Sequence, residues 1–180
     1  MTTPVFDLEK SIQAILFIAN RLERKDFHKI FKILYFADRE HLSQYGRTIT
    51  GDTYVAMKDG PVPSKIDDIF KAVRGDSFFT EYAGEYHKYF NVHNWYFIHP
   101  NMDANLDCLS ESDVEMLTGS LKKYGSLSWD EIREKSHDYA WRATPSNGQI
   151  SLEDILRESG DSEDYIEFIN EQIALQKACI

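Results

Sequence analysis

Lys32-Ile33-Leu34-Tyr35-Phe36-Ala37-Asp38-Arg39-Glu40-His41-Leu42 lies in the middle of a segment, Asp26 to Tyr45, whose periodicity predicts one long helix ending at Gly46. Phe27, Ile30, Phe31, Leu34 and Tyr45 share one stripe, while Ile33 and Phe36 point elsewhere. A helix that is apolar on more than one side belongs at the centre of its domain. At about 100° per residue, Asp38 and His41 fall on the main apolar stripe, one turn apart. Lys32, Tyr35 and Arg39 fall beside one another on a different face, expected to be exposed.

Working outward, Leu8, Ile12, Ile15, Leu16, Ala19 and Leu22 recur at helical spacing, and Asp7 can cap a first helix running to about Leu22. After Gly46, Thr48 to Met57 reads as an extended segment with a bend at Gly51-Asp52. Lys58 to Ser64 reads as a rigid loop, because Pro61 and Pro63 fix their own φ and restrict their neighbours. Ser64 and Asp67 have capping-box spacing, so a third helix is expected to about Val73. Phe78 to Ile98 is aromatic, with strands expected over Tyr86 to Val92 and Trp95 to Ile98, joined near His93-Asn94. Asn101 to Leu109 is read as loop. Ser110 with Asp113 starts a fourth helix, ending near Tyr124-Gly125, and Ser128 with Glu131 starts a short fifth. Further helices begin at Ser151 and span Asp161 to Ala178.

The expected fold is therefore mainly α with a small inserted antiparallel β-sheet, α+β in class. It is a compact helical domain around a central buried helix, its sheet drawn from Thr48–Met57 and Tyr86–Ile98. With no repeat, low-complexity tract or long linker, residues 1–180 are read as a single domain with a C-terminal helical extension over 151–178.

Composition bounds the function. A hydrophobic share of 42% and a charged share of 28% allow both a filled core and a soluble surface. The net charge of −10 repels phosphate backbones, so nucleic-acid binding by this chain alone is not expected. That charge suits a basic partner, or serves solubility alone. No run approaches the ~18 consecutive apolar residues that span a bilayer, so no membrane partner is expected. Met1 to Asp7 does not read as a signal peptide, and the two cysteines, Cys108 and Cys179, show no zinc or redox spacing. A reducing cytoplasm is the expected location.

Several constellations carry residue types capable of chemistry. His87, His93 and His99 recur every six residues, but one strand would spread them over ~20 Å, so no metal or other cofactor is expected. Cys108 with His137 lacks any nucleophile signature, and no phosphate loop, HExxH or GxSxG is present. Asp38 and His41 are close enough to pair as a catalytic dyad of a hydrolase. A structural polar network is the favoured reading, because no nucleophile or metal is there for a dyad to serve. The Lys58–Ser64 loop is either a preformed recognition element or a plain connector.

The Lys32–Leu42 run, followed by Tyr45-Gly46-Arg47-Thr48-Ile49-Thr50-Gly51-Asp52, Tyr54-Val55-Ala56-Met57 and Gly60-Pro61-Val62-Pro63, resembles the Panacea domain family of SocA-like antitoxins. Leu127-Ser128 and His137-Asp138-Tyr139-Ala140-Trp141 resemble that family's C-terminal pattern, so the likeness covers about Ile12 to Trp141. The resemblance implies a non-enzymatic antitoxin of a bacterial or phage toxin–antitoxin system that neutralises a toxin protein by direct contact. One member of the family instead acts as an adaptor delivering its toxin to the ClpXP protease, which is the alternative mechanism. An acidic antitoxin would be steered to the basic active site of a toxin that acts on RNA or nucleotides. The expected contact comprises Lys32, Tyr35 and Arg39 with Lys58, Gly60, Pro61, Val62 and Pro63, while Asp38 and His41 are expected to be structural.

Overall fold

Helix α2, Phe27–Tyr45, is buried on most sides, as its sequence requires. The computed structural model describes residues 4–76 and 83–178. Asp26 caps α2 through the Lys29 amide, and Gly46 ends it in the left-handed conformation. Before it runs α1, Leu8–Ala19, capped by Asp7. After it come strands β1, Tyr54–Met57, and β2, Gly60–Pro63, then α3, Ser64–Arg74, and the single turn α4, Ala83–Tyr86. Strands β3, Phe90–His93, and β4, Phe97–Pro100, precede a 3-10 turn at Leu106–Cys108. Helices α5, Glu111–Tyr124, α6, Trp129–Ser136, α7, Tyr139–Ala143, α8, Leu152–Ser159, and α9, Glu163–Ala178, complete the chain. The capping boxes at Ser110/Asp113 and Ser128/Glu131 both form. The architecture is mainly α with small antiparallel β elements.

Helix α2 packs against α5, β2, α1, α6 and α8. Its Phe27 and Phe31 meet Phe70 of α3 at 4.7 and 5.2 Å between ring centres, and Phe70 meets Phe90 of β3 at 5.4 Å. On the opposite side Phe36 stacks on Tyr124 of α5 at 4.0 Å.

Three expectations are corrected. The strands form two separate hairpins, β1–β2 and β3–β4, rather than one sheet. Other segments occupy the edges through which they would have joined. Ala56 and Tyr54 of β1 bond with Asn147, Gly148 and Ile150, while Ile98 of β4 and Tyr96 of the β3–β4 turn bond to Lys25 and Phe27 at the entry to α2. Secondly, the proline segment expected as loop is a strand, with Pro61 opposite Ala56 and Pro63 opposite Tyr54; on an edge the missing N–H is tolerated. Thirdly, Ser64 does not cap α3. Asp52 does so from a distance, accepting the amides of Lys65 at 3.1 Å and Ile66 at 2.9 Å. The expected aromatic segment from Phe78 to Tyr82 lies outside the described residues, as does Cys179.

Asp38 fixes the route from α2 to the first hairpin. Its buried carboxylate accepts the Ile49 amide at 2.6 Å, the Thr50 hydroxyl at 3.1 Å and the Tyr54 hydroxyl at 2.8 Å. Burial pushes its pKa up to about 6, against the pull of the Tyr54, Ile49 and Thr50 hydrogen bonds. Replacing Asp38 by Ala strands these buried donors and is expected to cost about 1–3 kcal/mol or more in urea denaturation. The folded state holds a proton at Asp38 that the unfolded chain, with its ordinary pKa of 3.8, has released. The Asp38 component of stability therefore falls as pH rises from about 4 to about 6. Asp38→Asn is expected to remove that slope in paired titrations of wild type and variant.

A candidate interaction groove beside a clamped hairpin

The β1–β2 hairpin is held by its own backbone carbonyls. Trp141 of α7 donates its indole N–H to Met57 O at 2.9 Å, and the His28 ring nitrogen Nε2 lies 3.1 Å from Asp59 O. Lys32 donates from Nζ to Pro61 O at 2.8 Å. Arg133 of α6 adds a bond to the Asp59 carboxylate at 3.0 Å. The turn between the strands is thus gripped from α2, α6 and α7. Gly60 makes the close seat possible: its φ is +102°, and a Cβ there would lie 2.4 Å from Ser136 Oγ and 2.7 Å from Lys32 Cε.

The supporting side chains are tuned by burial. Lys32 is 1% exposed, and desolvation pushes its pKa down to about 7. Desolvation, with Lys32 nearby, pushes His28 down to about 4, so its ring is neutral near pH 7. A carbonyl only accepts, so Nε2 carries the His28 proton and Nδ1 is left buried without a partner. The ring stacks on Trp129 at 4.5 Å, and His137 stacks on Trp141 at 3.8 Å.

The expectation that Lys32, Tyr35 and Arg39 form an exposed face is corrected. Lys32 and Tyr35 are buried and Arg39 is largely so, with its side chain 16% exposed. The reason is the short α6–α7 corner, which folds over this face and offers it an acid. Tyr35 donates to Asp138 at 2.8 Å, and Arg39 pairs with the same carboxylate at 3.1 Å and with Glu158 at 3.6 Å. Asp138 also caps α7 through the Trp141 amide, so Tyr35 and Arg39 set the helix whose Trp141 grips the hairpin. Gly60, Pro61 and Pro63 are buried, Val62 is half-buried, and Met57 and Lys58 are exposed.

Asp38 and His41 enter different networks. His41 donates from Nδ1 to Arg47 O at 2.8 Å, and its Nε2 lies 3.0 Å from Ser112 Oγ and 3.1 Å from Asp113 Oδ1. Burial would raise Asp113, but pairing with His41, Ser110 and Arg47 holds it well below the usual carboxylate range. Cys108 sits beside Glu9, away from the His137–Trp141 stack in its bonding. His93 and His99 face each other edge-on at 5.7 Å while His87 pairs with Asn91. Among the described residues no group of three or more His, Cys, Asp or Glu could hold a metal ion, and no helix is long and apolar enough to cross a membrane.

Beside the hairpin lies a groove of about 390 Å³, floored by Phe27 and Phe31 and walled by Met57, Val62 and Tyr96. Sequence reasoning missed Met57, Asp138, Trp141 and the 95–97 tip. The Asp138-Tyr139-Ala140-Trp141 run carried a helix-cap signal for Asp138, but nothing local showed where its carboxylate would reach.

Gly60→Ala is expected to lower stability by more than about 1 kcal/mol, read as a fall in Tm. Lys32 has a lower pKa folded, about 7, than unfolded, 10.5, so the folded state binds fewer protons between those values. Its component of stability rises with pH across that window. Denaturation of wild type and Lys32→Met at pH 7 and pH 9 is expected to show the difference moving in favour of wild type at pH 9.

No curated protein and no solved structure matches the chain. A family model described as "Antitoxin SocA-like, Panacea domain" matches residues 30–142, more than half of the chain. The matched span starts inside α2 and ends inside α7, so it contains most of the central helix, the first hairpin and the tryptophan that clamps it. The chain belongs to the SocA-like antitoxin family, as a Panacea-domain protein.

Proposed function

We propose that this chain is an antitoxin that neutralises a toxin protein by binding it directly, without catalysis, and that the outward face of the β1–β2 hairpin is its contact surface. The clamped hairpin is the observation that carries the reading. Three of its carbonyls are tied to Trp141, His28 and Lys32, while Met57 (41% exposed) and Lys58 project outward. A preformed loop loses little conformational freedom when a partner docks, so its apolar contact converts more fully into affinity. Met is also an adaptable contact residue, which suits a fold that meets unrelated partners.

In this reading the expected contact residues divide by role. Met57, Lys58 and Val62 touch the toxin. Lys32, Gly60, Pro61 and Pro63 hold the hairpin's shape from beneath, and Tyr35 and Arg39 act one step further back through Asp138. The non-catalytic reading is supported by Asp38 and His41, which are 1% and 0% exposed and engaged with loop backbone. A substrate has no path to such a pair.

Co-expression with the toxin encoded by the neighbouring reading frame tests the proposal by growth. Met57→Asp and Val62→Asp are expected to lose protection. Met57→Asp is expected to keep the helical circular dichroism and Tm of the wild type. Tyr35→Ala is expected to lose protection by a different route, unfolding at lower temperature because a buried aromatic removal costs about 3–5 kcal/mol. Full protection by both aspartate variants overturns the assignment of the hairpin. Protection that disappears only in a host lacking ClpXP overturns occlusion in favour of adaptor action.

A further inference from the structure

The turn joining β3 to β4 carries a backbone outlier. Asn94 and Trp95 have φ of +47° and +68°. A left-handed conformation is uncommon for side chains other than Gly and Asn, and strained for one as bulky as Trp. The strain is not relieved by burial, because Trp95 is 68% exposed and the adjoining Tyr96 is 59% exposed. The turn is nevertheless rigidly mounted. Tyr96 O accepts the Phe27 amide at 2.8 Å, and Arg74 donates to Trp95 O at 3.2 Å with its guanidinium 5.8 Å from both rings. A large apolar side chain carried exposed on a strained and firmly mounted turn is arranged for contact rather than for stability.

Tyr96 and Met57 wall the same groove, so this second tip extends the hairpin surface into a cleft with an aromatic end. The cleft's charges do not follow the chain's net charge of −10. Its carboxylates are already paired: Asp67 with Lys71 at 2.6 Å, Asp59 with Arg133 at 3.0 Å, and the neighbouring Asp76 with Arg74. Among the described residues one exposed cation remains at the groove without an ion pair, while the buried Lys32, its pKa pushed down to about 7, carries only part of a charge near neutral pH. Lys58 stands exposed at the rim, and Lys32 donates to the Pro61 carbonyl beneath it.

Resting on the antitoxin reading, we infer that the cleft receives a toxin segment bearing an apolar side chain next to one or more carboxylates. The apolar side chain lies between Met57 and the Trp95–Tyr96 tip, and a carboxylate pairs with Lys58. The observations that carry this are the strained Trp95, the shared groove and the exposed Lys58 at its rim. The segment is acidic, so the overall acidity of the antitoxin steers approach to a basic toxin surface while this cleft takes an acidic exception to it.

The experiment measures affinity for the purified toxin encoded by the neighbouring reading frame. Trp95→Gly places at the left-handed position the residue best suited to it. It is expected to keep or raise Tm and to weaken toxin binding at least tenfold, a combination that a structural role for Trp95 would not give. Lys58→Glu is expected to weaken binding at least tenfold at low salt, and less as salt rises. Carbodiimide treatment of the wild-type complex is expected to join Lys58 by an amide to an Asp or Glu of the toxin, identified by mass spectrometry. Unchanged affinity in both variants overturns the cleft assignment while leaving the antitoxin reading intact. Tighter binding by Lys58→Glu overturns the acidic character of the segment. Absence of any binding by the wild type overturns the antitoxin reading and this inference together.

Discussion

A helix sunk in its own domain needs partners for the polar side chains it buries, and six of those on α2 decide the path of the rest of the chain. Each is satisfied by a segment elsewhere in the chain. Lys29 reaches the Leu127 carbonyl, Lys32 the Pro61 carbonyl, Asp38 the Ile49 amide and His41 the Arg47 carbonyl, while Tyr35 and Arg39 converge on Asp138. An unpaired buried polar group costs more than its hydrogen bond contributes, so these pairings are close to obligatory. The consequence is structural: loops that would otherwise drift are fastened to one rigid rod. The strands are only four residues long and pair in twos, so they lack the cooperativity of a larger sheet. Their order comes from α2 and from the helices packed on it.

That dependence links the interior to the proposed binding face. The same contacts that satisfy Lys32 and His28 leave the hairpin's carbonyls occupied and its outer side chains free. Gly60 is needed because the hairpin lies so close to Lys32 and Ser136 that no Cβ fits. Buried lysine is an expensive strut, as its lowered pKa records, yet its aliphatic stem contributes to the groove while its amine reaches the strand behind. Stability and pre-organisation are here two results of one set of bonds.

Charge operates at two ranges. In the proposed complex the acidic surface would act over a Debye length and bear on approach, whereas contact in the groove would be decided by pairings of a few ångströms. Its carboxylates are taken up by Arg133, Lys71 and Arg74, which leaves Lys58 as an exposed cation on a chain of net charge −10. Net charge alone is thus a poor guide to the chemistry of the contact.

The amino-acid sequence by itself determined the longer helices and the centrality of α2, because both rest on local periodicity and caps, whereas the short α4 and α7 were not legible in it. Asp7, Ser110, Ser128 and Ser151 mark helix starts within their own turn, and Gly46 marks an end. It also carried the family, through a contiguous block from α2 to the first hairpin. What only the tertiary structure decided are the relations between distant segments. Tyr35 and Arg39 read as surface residues because nothing near them in the chain covers them; Asp138, about a hundred residues on, does. Asp52 supplanted the expected Ser64 cap for the same reason, reaching a helix from a loop more than ten residues earlier. The two hairpins stayed apart because other backbone took their edges, and the backbone strain at Trp95 has no signature in residue type. Periodicity and capping act over one or two turns, whereas burial and long-range pairing depend on which surfaces meet, and those are set when the helices pack around α2.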